Sequence, residues 1–397
     1  MPRNRIFITC FIILVCAFAV VYGENVITSP YVKWDNGPLH SADFFPVAVW
    51  LQNPARASKY RRAGFNTFVG LWKGPTQDQI EQLKRAGMKV ICHQNKLALK
   101  YIDDPTIIGW MHGDEPDNAQ SLGKGKGYGP PIKPQKIIDD YNKIRRADST
   151  RPVLLNLGQG VAWDGYYGRG VRTNHPEDYR EYVKGCDIAS FDIYPAAHSK
   201  PEVAGNLWYV ARGVERLNKW TDGKKPVWNC IECTRINNKQ TKATPKQVKC
   251  EVWMSLIHGS MGIIYFVHEW QPKFNESALL SDPGMLSAVA EINKQINTLA
   301  PVLNSPTIDA GVSVLSENED VPIAFMAKKY KDARYLFAVG MRDGKTTATF
   351  TAPALKGDRT VEVLGENRTI LSANGIFRDS FEAWDVHLYR IADKNTN

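Results

Sequence analysis

Asp114 and Glu115 stand together at the end of an apolar run, Ile107-Ile108-Gly109-Trp110-Met111-His112-Gly113. The β-branched residues of that run predict a buried strand, and Pro116 stops its ladder. Adjacent carboxylates at a strand end are unfavourable unless they are partnered or used. One such acid can hand a proton to a leaving group. A second carboxylate across a cleft can attack the carbon left behind, and the pair can then split a glycosidic bond. Glu232, closing the run Pro226-Val227-Trp228-Asn229-Cys230-Ile231, is the candidate for that second acid. Plainer readings stand beside both: Glu115 as a structural acid paired with a Lys or Arg, and Glu232 as an ion pair with nearby Arg235.

The chain that must bring these acids together alternates regularly. Expected strands are Phe44–Leu51, Phe65–Trp72, Met88–His93, the run from Ile107, Pro152–Leu157, Asp187–Tyr194, Pro226–Glu232 and Gly262–Trp270. Expected helices between and after them are Pro54–Ala63, Thr76–Ala86, Lys96–Ile102, Pro134–Ala147, Pro176–Lys184, Asn206–Trp220, Pro245–His258 and Met285–Leu303. Eight strand–helix repeats force a parallel sheet and are enough to close a (β/α)8 TIM barrel. Residues 44–304 would form it, close to the roughly 250 residues typical of such barrels. Past Pro306 the helical period gives way to short alternating strands and Gly/Asp turns, so 305–397 reads as a small all-β sandwich. The fold class is therefore α/β with a C-terminal β-sandwich.

In a parallel barrel every strand opens on one face, where reactive groups collect. The strand ends supply Trp50, Trp72, His93 with Asn95, Asp114 with Glu115, Asn156, Asp192 with Tyr194, Glu232, and His268 with Glu269 and Trp270. Asp192 reads equally well as a residue orienting Tyr194 or a loop. Glu269 is the weaker acid, because Trp270 claims the inward direction on its strand. Tyr194 and Trp270 taken alone would more often be packing than binding residues. The histidines have no metal-ligand spacing, and no metal or cofactor is expected.

An acid after strand four and another after strand seven resembles the large clan of retaining (β/α)8-barrel glycoside hydrolases. The motifs that carry the resemblance are Gly113-Asp114-Glu115-Pro116, Trp228-Asn229-Cys230-Ile231-Glu232, Tyr194 and Trp270. It implies Glu115 as acid/base, Glu232 as nucleophile, Tyr194 as hydrogen-bond partner of the nucleophile and Trp270 as the floor of the first subsite. The clan usually has Asn where this chain has Asp114, a departure that would raise the Glu115 pKa by like-charge coupling. The resemblance implies cleavage of a β-linked poly- or oligosaccharide, and C-terminal sandwiches similar to 305–397 accompany several such hydrolases. The alternative is a non-catalytic carbohydrate-binding protein on a degenerate barrel; a third reading is an envelope scaffold.

The remaining residues bound these readings. Arg3, Arg5 and the apolar run Ile6–Val21 predict a signal peptide over 1–23, followed by a lead-in at 24–43 and a secreted or periplasmic location. An uncleaved anchor is the alternative, although the run is short for a membrane span. Cleavage removes two Arg and lowers the formal charge from +9 to +7. That excess hints at acidic sugars, whereas scattered Lys and Arg give no stripe for nucleic acid. Five cysteines would remain, and Cys230-Ile231-Glu232-Cys233 reads as buried or incidental rather than metal-binding or redox-active. The glycine-rich stretch Gly123–Pro131 lacks a phosphate-loop ending and reads as a mobile surface loop near the cleft.

Overall fold

A computed structural model describes residues 31–38, 41–236, 238–308 and 311–393. The signal-peptide reading falls on 1–23, outside the described residues. Eight parallel strands close into a barrel in sequence order. They are β1 (Val47–Trp50), β2 (Thr67–Val69), β3 (Lys89–Cys92), β4 (Ile107–Asp114), β5 (Val153–Leu157), β6 (Ile188–Phe191), β7 (Val227–Glu232) and β8 (Ser260–Phe266). Pairing of Ala48 with Ile264 closes the ring.

The outer shell is formed by α1 (Ala57–Arg62), α2 (Gln77–Arg85), α3 (Pro134–Ala147), α4 (Tyr179–Tyr182), α5 (Tyr209–Trp220), α6 (Pro245–Ile257) and α7 (Pro283–Leu303). Thr76 with Gln79, and Thr244 with Gln247, form reciprocal capping boxes that start α2 and α6. The helix expected at Lys96–Ile102 is only a 3-10 turn at Ala98–Tyr101, and that expected at Pro176–Lys184 has a four-residue α core. Segments this short hardly repay helix nucleation.

Alternation along the strands builds two cores. Ala48, Ile91, Leu154, Ile188, Trp228 and Ile264 fill the barrel, while Val49, Val90, Leu155, Ala189 and Ile231 face the helices. Tyr31 and Trp34 join the inner core, and Trp228 Nε1 donates to the Tyr31 hydroxyl at 2.7 Å. The Tyr31 hydroxyl in turn donates to the Met261 carbonyl, so the lead-in plugs the end of the barrel where the strands begin. Gly262 makes room for this plug, since a Cβ there would lie 2.5 Å from the Trp228 ring.

The C-terminal part is antiparallel, as its alternating pattern predicts. One sheet has the order β10 (Ile323–Tyr330), β11 (Ala333–Gly340), β16 (Val386–Ala392), β13 (Arg359–Val363), β14 (Arg368–Ser372). The other runs β15 (Ile376–Phe381), β12 (Thr346–Thr351), β9 (Ser313–Ser316). Phe350, Phe377 and Tyr389 pack between them, and Trp253 of α6 meets Phe337 of β11 with ring centroids 5.1 Å apart. Among the described residues no helix is long and apolar enough to cross a membrane.

Candidate active site

A cavity of about 820 Å³ opens where the barrel strands end. Trp50, Asp114, Glu115, Asn156, Asp192 and Tyr194 line it, and Trp72, His268 and Trp270 complete the part foreseen from strand ends. Asp192 arrives by simple alternation. Ile188 faces the barrel core, the Ser190 hydroxyl donates to Asn156 Oδ1 at 3.0 Å, and Asp192 and Tyr194 continue the same face.

Glu115 arrives by a less obvious route. Ile108 points into the barrel, but the pairing of β3 with β4 shifts register between Val90 and Ile91, and the next inward residue is Met111. That switch of face puts Glu115, not only Asp114, toward the cavity. Glu115 itself has φ +42, a left-handed backbone that non-glycine residues rarely adopt. The turn is held by the Glu115 N–H donating to the Asn156 carbonyl (2.9 Å) and the Asn118 N–H donating to the Glu115 carbonyl (3.1 Å). Strain retained against its local cost is a recurrent mark of working sites. Beneath it, buried Asp117 accepts from the Gly158 N–H (2.9 Å) and the Tyr179 hydroxyl (2.7 Å).

Gly158, just past β5, was not singled out in the sequence. A Cβ there would lie 3.0 Å from Glu115 Oε1 and 2.6 Å from Asn118 Oδ1, so its missing side chain is the space in which the Glu115 carboxyl sits. Gln52, Gln159, Tyr166, Phe274 and Glu276 also line the cavity without having been foreseen. Gln52 and Gln159 each lie one or two residues past a strand and could have been read there; Phe274 and Glu276 come from a long loop with no periodic signal.

The carboxyls of Glu115 and Asp192 lie within hydrogen-bonding reach of one another. Burial pushes both upward. Asp192 adds to the rise at Glu115, whereas hydrogen bonds from Glu115 and Tyr194 favour the ionised form of Asp192. Glu115 is thus the member that keeps the proton, and Asp192 the member that ionises first. Asp114, exposed on the cavity wall, accepts from the Asn156 amide at 3.0 Å, and partial loss of hydration pushes it up to about 6.

Three expected site residues do not line this cavity. Glu232 is fully buried, and its two carboxyl oxygens accept the backbone N–H groups of Ala196 (2.5 Å) and Ala197 (2.7 Å). Glu251 of α6 lies beside it, equally buried, and each carboxyl perturbs the other. Alternation from Trp228 and Cys230 would aim Glu232 at the barrel mouth, and it still pairs with Phe266 of β8, but the N–H groups of the loop after β6 capture its carboxyl. Arg235 does not pair with it; Arg235 meets Glu269 at 3.6 Å. That ion pair holds Glu269 off the cavity, because β8 stops at Phe266 and the expected strand geometry does not reach residue 269. His93 is exposed just past β3, away from the cavity.

Other expectations also meet the structure here. Cys230 faces the inner core and Cys233 the outer one, both buried and free, so the CxxC pair points two ways. The Gly123–Pro131 stretch is an exposed hairpin bridged between Ser121 and Tyr128, outside the cavity lining. The hint of acidic sugars fails at the cavity: its described lining contains neither Lys nor Arg.

With this geometry in view, comparison with solved structures gives the same architecture. The chain is similar to a GH42 β-galactosidase from G. stearothermophilus, with a TM-score of 0.57, 10% identity, and 90% of this chain and 100% of that one covered. It is also similar to an Anoxybacillus α-amylase, with a TM-score of 0.53, 9% identity, and 90% and 100% covered. At such identities the likeness is one of fold: an eight-stranded parallel barrel followed by antiparallel sheets is an architecture these glycoside hydrolases share. No protein-family model matches the chain, and no curated protein gives a significant match.

Proposed function

We propose that this chain is a glycoside hydrolase that cleaves a β-linked poly- or oligosaccharide with retention of configuration. The observation that carries this reading is the carboxyl pair Glu115–Asp192, near enough to perturb one another, lining an 820 Å³ cavity at the open end of the barrel. Glu115, holding the shared proton, protonates the glycosidic oxygen as its bond to the anomeric carbon breaks. Asp192 forms the new bond to that carbon and releases it when water, deprotonated by Glu115, attacks. Two carboxyls this near suit retention, whose pairs stand about 5–5.5 Å apart, better than inversion, whose pairs stand roughly 6.5–9.5 Å apart. Tyr194, next to Asp192, holds its ionised form. Trp50 forms part of the floor. Trp72, Trp270 and Phe274, exposed at 67%, 51% and 51%, offer flat faces to sugar rings at the mouth.

The β-linkage rests on the resemblance to retaining barrel enzymes, and export rests on the N-terminal apolar segment. The test is release of reducing ends across a panel of α- and β-linked glycans, followed by product-anomer detection by NMR. Retention with loss of turnover in D192N and E115Q supports the reading. Asp192→Ala should regain turnover with azide, yielding a glycosyl azide. Sugar binding with no cleaved linkage would favour a carbohydrate-binding protein instead.

A further inference from the structure

The lining of the barrel-mouth cavity sets which charge its ligand can carry. Asp114, Glu115, Asp192 and Glu276 all reach it, and no Lys or Arg does among the described residues. Arg56, from outside the lining, pairs with Glu276 at 2.8 Å and neutralises it. Among the described residues no cation is among the largest influences on Asp114, Glu115 or Asp192. One proton shared by the Glu115–Asp192 pair still leaves negative charge on that pair and on Asp114, on a cavity wall that also holds Trp50, Phe266 and Trp270. Such a recess strengthens charge interactions relative to open water. Asp114 has only the Asn156 amide as a side-chain partner, and its charge is felt by both Glu115 and Asp192.

We propose that the glycan this cavity selects carries a free amino group, namely an unacetylated 2-amino-2-deoxy sugar, with Asp114 as the residue that reads the ammonium. This deepens the hydrolase reading and rests on it for turnover, though not for binding. The anomeric carbon must lie between Glu115 and Asp192. A substituent on the adjacent carbon then falls in the field of Asp114. An ammonium supplies three donors and the missing positive charge. A uronic or sulfated sugar would add like charge, and an acetylated amine would leave Asp114 unpaired.

The test compares kcat/KM at pH 7 on β-linked glucosamine oligomers, their N-acetylated counterparts, neutral gluco-oligomers and oligoglucuronates. Expected is a preference of about tenfold or more for the free amine. In D114N, verified as folded by its melting curve, that preference should fall to near unity. Calorimetric titration of the wild type with thio-linked glucosamine and glucose disaccharides gives a second measurement that needs no turnover. Equal affinity for the two, or an amine preference that survives D114N, overturns the proposal. Cleavage of neutral oligomers without amine preference sinks it while leaving the hydrolase reading intact. Selective binding of the thio-linked amine with no cleavage of any glycan does the reverse.

Discussion

The barrel holds two close carboxyl pairs, and they differ in what surrounds them. Glu115 with Asp192 opens on a cavity whose walls are aromatic, whereas Glu232 with Glu251 is sealed between β7, α6 and the loop after β6. Desolvation raises all four acids, and in each pair the members are close enough to share a proton. Electrostatic perturbation is therefore the same in kind in both places. Access separates them: only the first pair can meet a substrate, and only the second has a member whose two carboxyl oxygens both accept backbone N–H groups. A perturbed acid in a barrel wall is thus a candidate catalyst only when a ligand can reach it.

The sharpest way to break this comparison is a pair of isosteric amides. D192N and E115Q should each lower turnover by about 10²–10⁴-fold, measured as initial rates on the best glycan. E232Q, if it folds, should stay within an order of magnitude of wild type; a collapse of turnover in folded E232Q would reverse the assignment of the two pairs.

Gly158→Ala comes next. The added methyl meets Glu115 Oε1 at 3.0 Å and Asn118 Oδ1 at 2.6 Å. Displacing a reacting group by a fraction of an ångström should lower kcat by about 10–100-fold at unchanged melting temperature. Unchanged kcat would show that the Glu115 carboxyl tolerates another position.

A pH profile sharpens the open pair. Activity should fall on the acid side as Asp192 takes up its proton and on the alkaline side as Glu115 loses its own. Asp114 raises both by like charge. Its removal in D114N favours ionisation, so both limbs should move to lower pH. A shift of either limb to higher pH contradicts the arrangement.

The sealed pair should reveal itself in stability instead. Glu232 and Glu251 are raised in the folded protein above the unfolded carboxylate range near pH 4.3. The native state therefore binds more protons than the unfolded state between that range and the raised values. Stability is greatest below the unfolded value and is lost as pH rises through the folded one. E251Q keeps a donor toward Glu232 and removes one titration. Its melting temperature should decline less between pH 5 and pH 9 than that of wild type, and parallel curves would count against a shared proton there.

Much of this was readable beforehand, for identifiable reasons. Eight strand–helix repeats, the two-residue alternation of β6 and the acid-bearing end of β4 are local properties, and they sufficed for the barrel, for Asp192 and for Glu115 as a rim residue. Glu232 was misread because alternation along β7 says nothing of the backbone N–H groups of Ala196 and Ala197, which take both its carboxyl oxygens although it still pairs with Phe266 in the ladder. Glu269 was misread because β8 ends at Phe266, three residues before it and four before the expected strand end at Trp270. Gly158 carried no readable signal, since its role is an absence measured against a side chain 43 positions away.

The amino-acid sequence by itself determined the periodicities, and with them the barrel, the trailing sheets and the rim on which acids collect, because hydrophobic spacing acts between neighbours along the chain. Only the tertiary structure decided which acids face each other. That choice depends on a register shift in β4, on amides donated by the loop after β6, and on where Lys and Arg are excluded, all of which arise between segments distant in sequence.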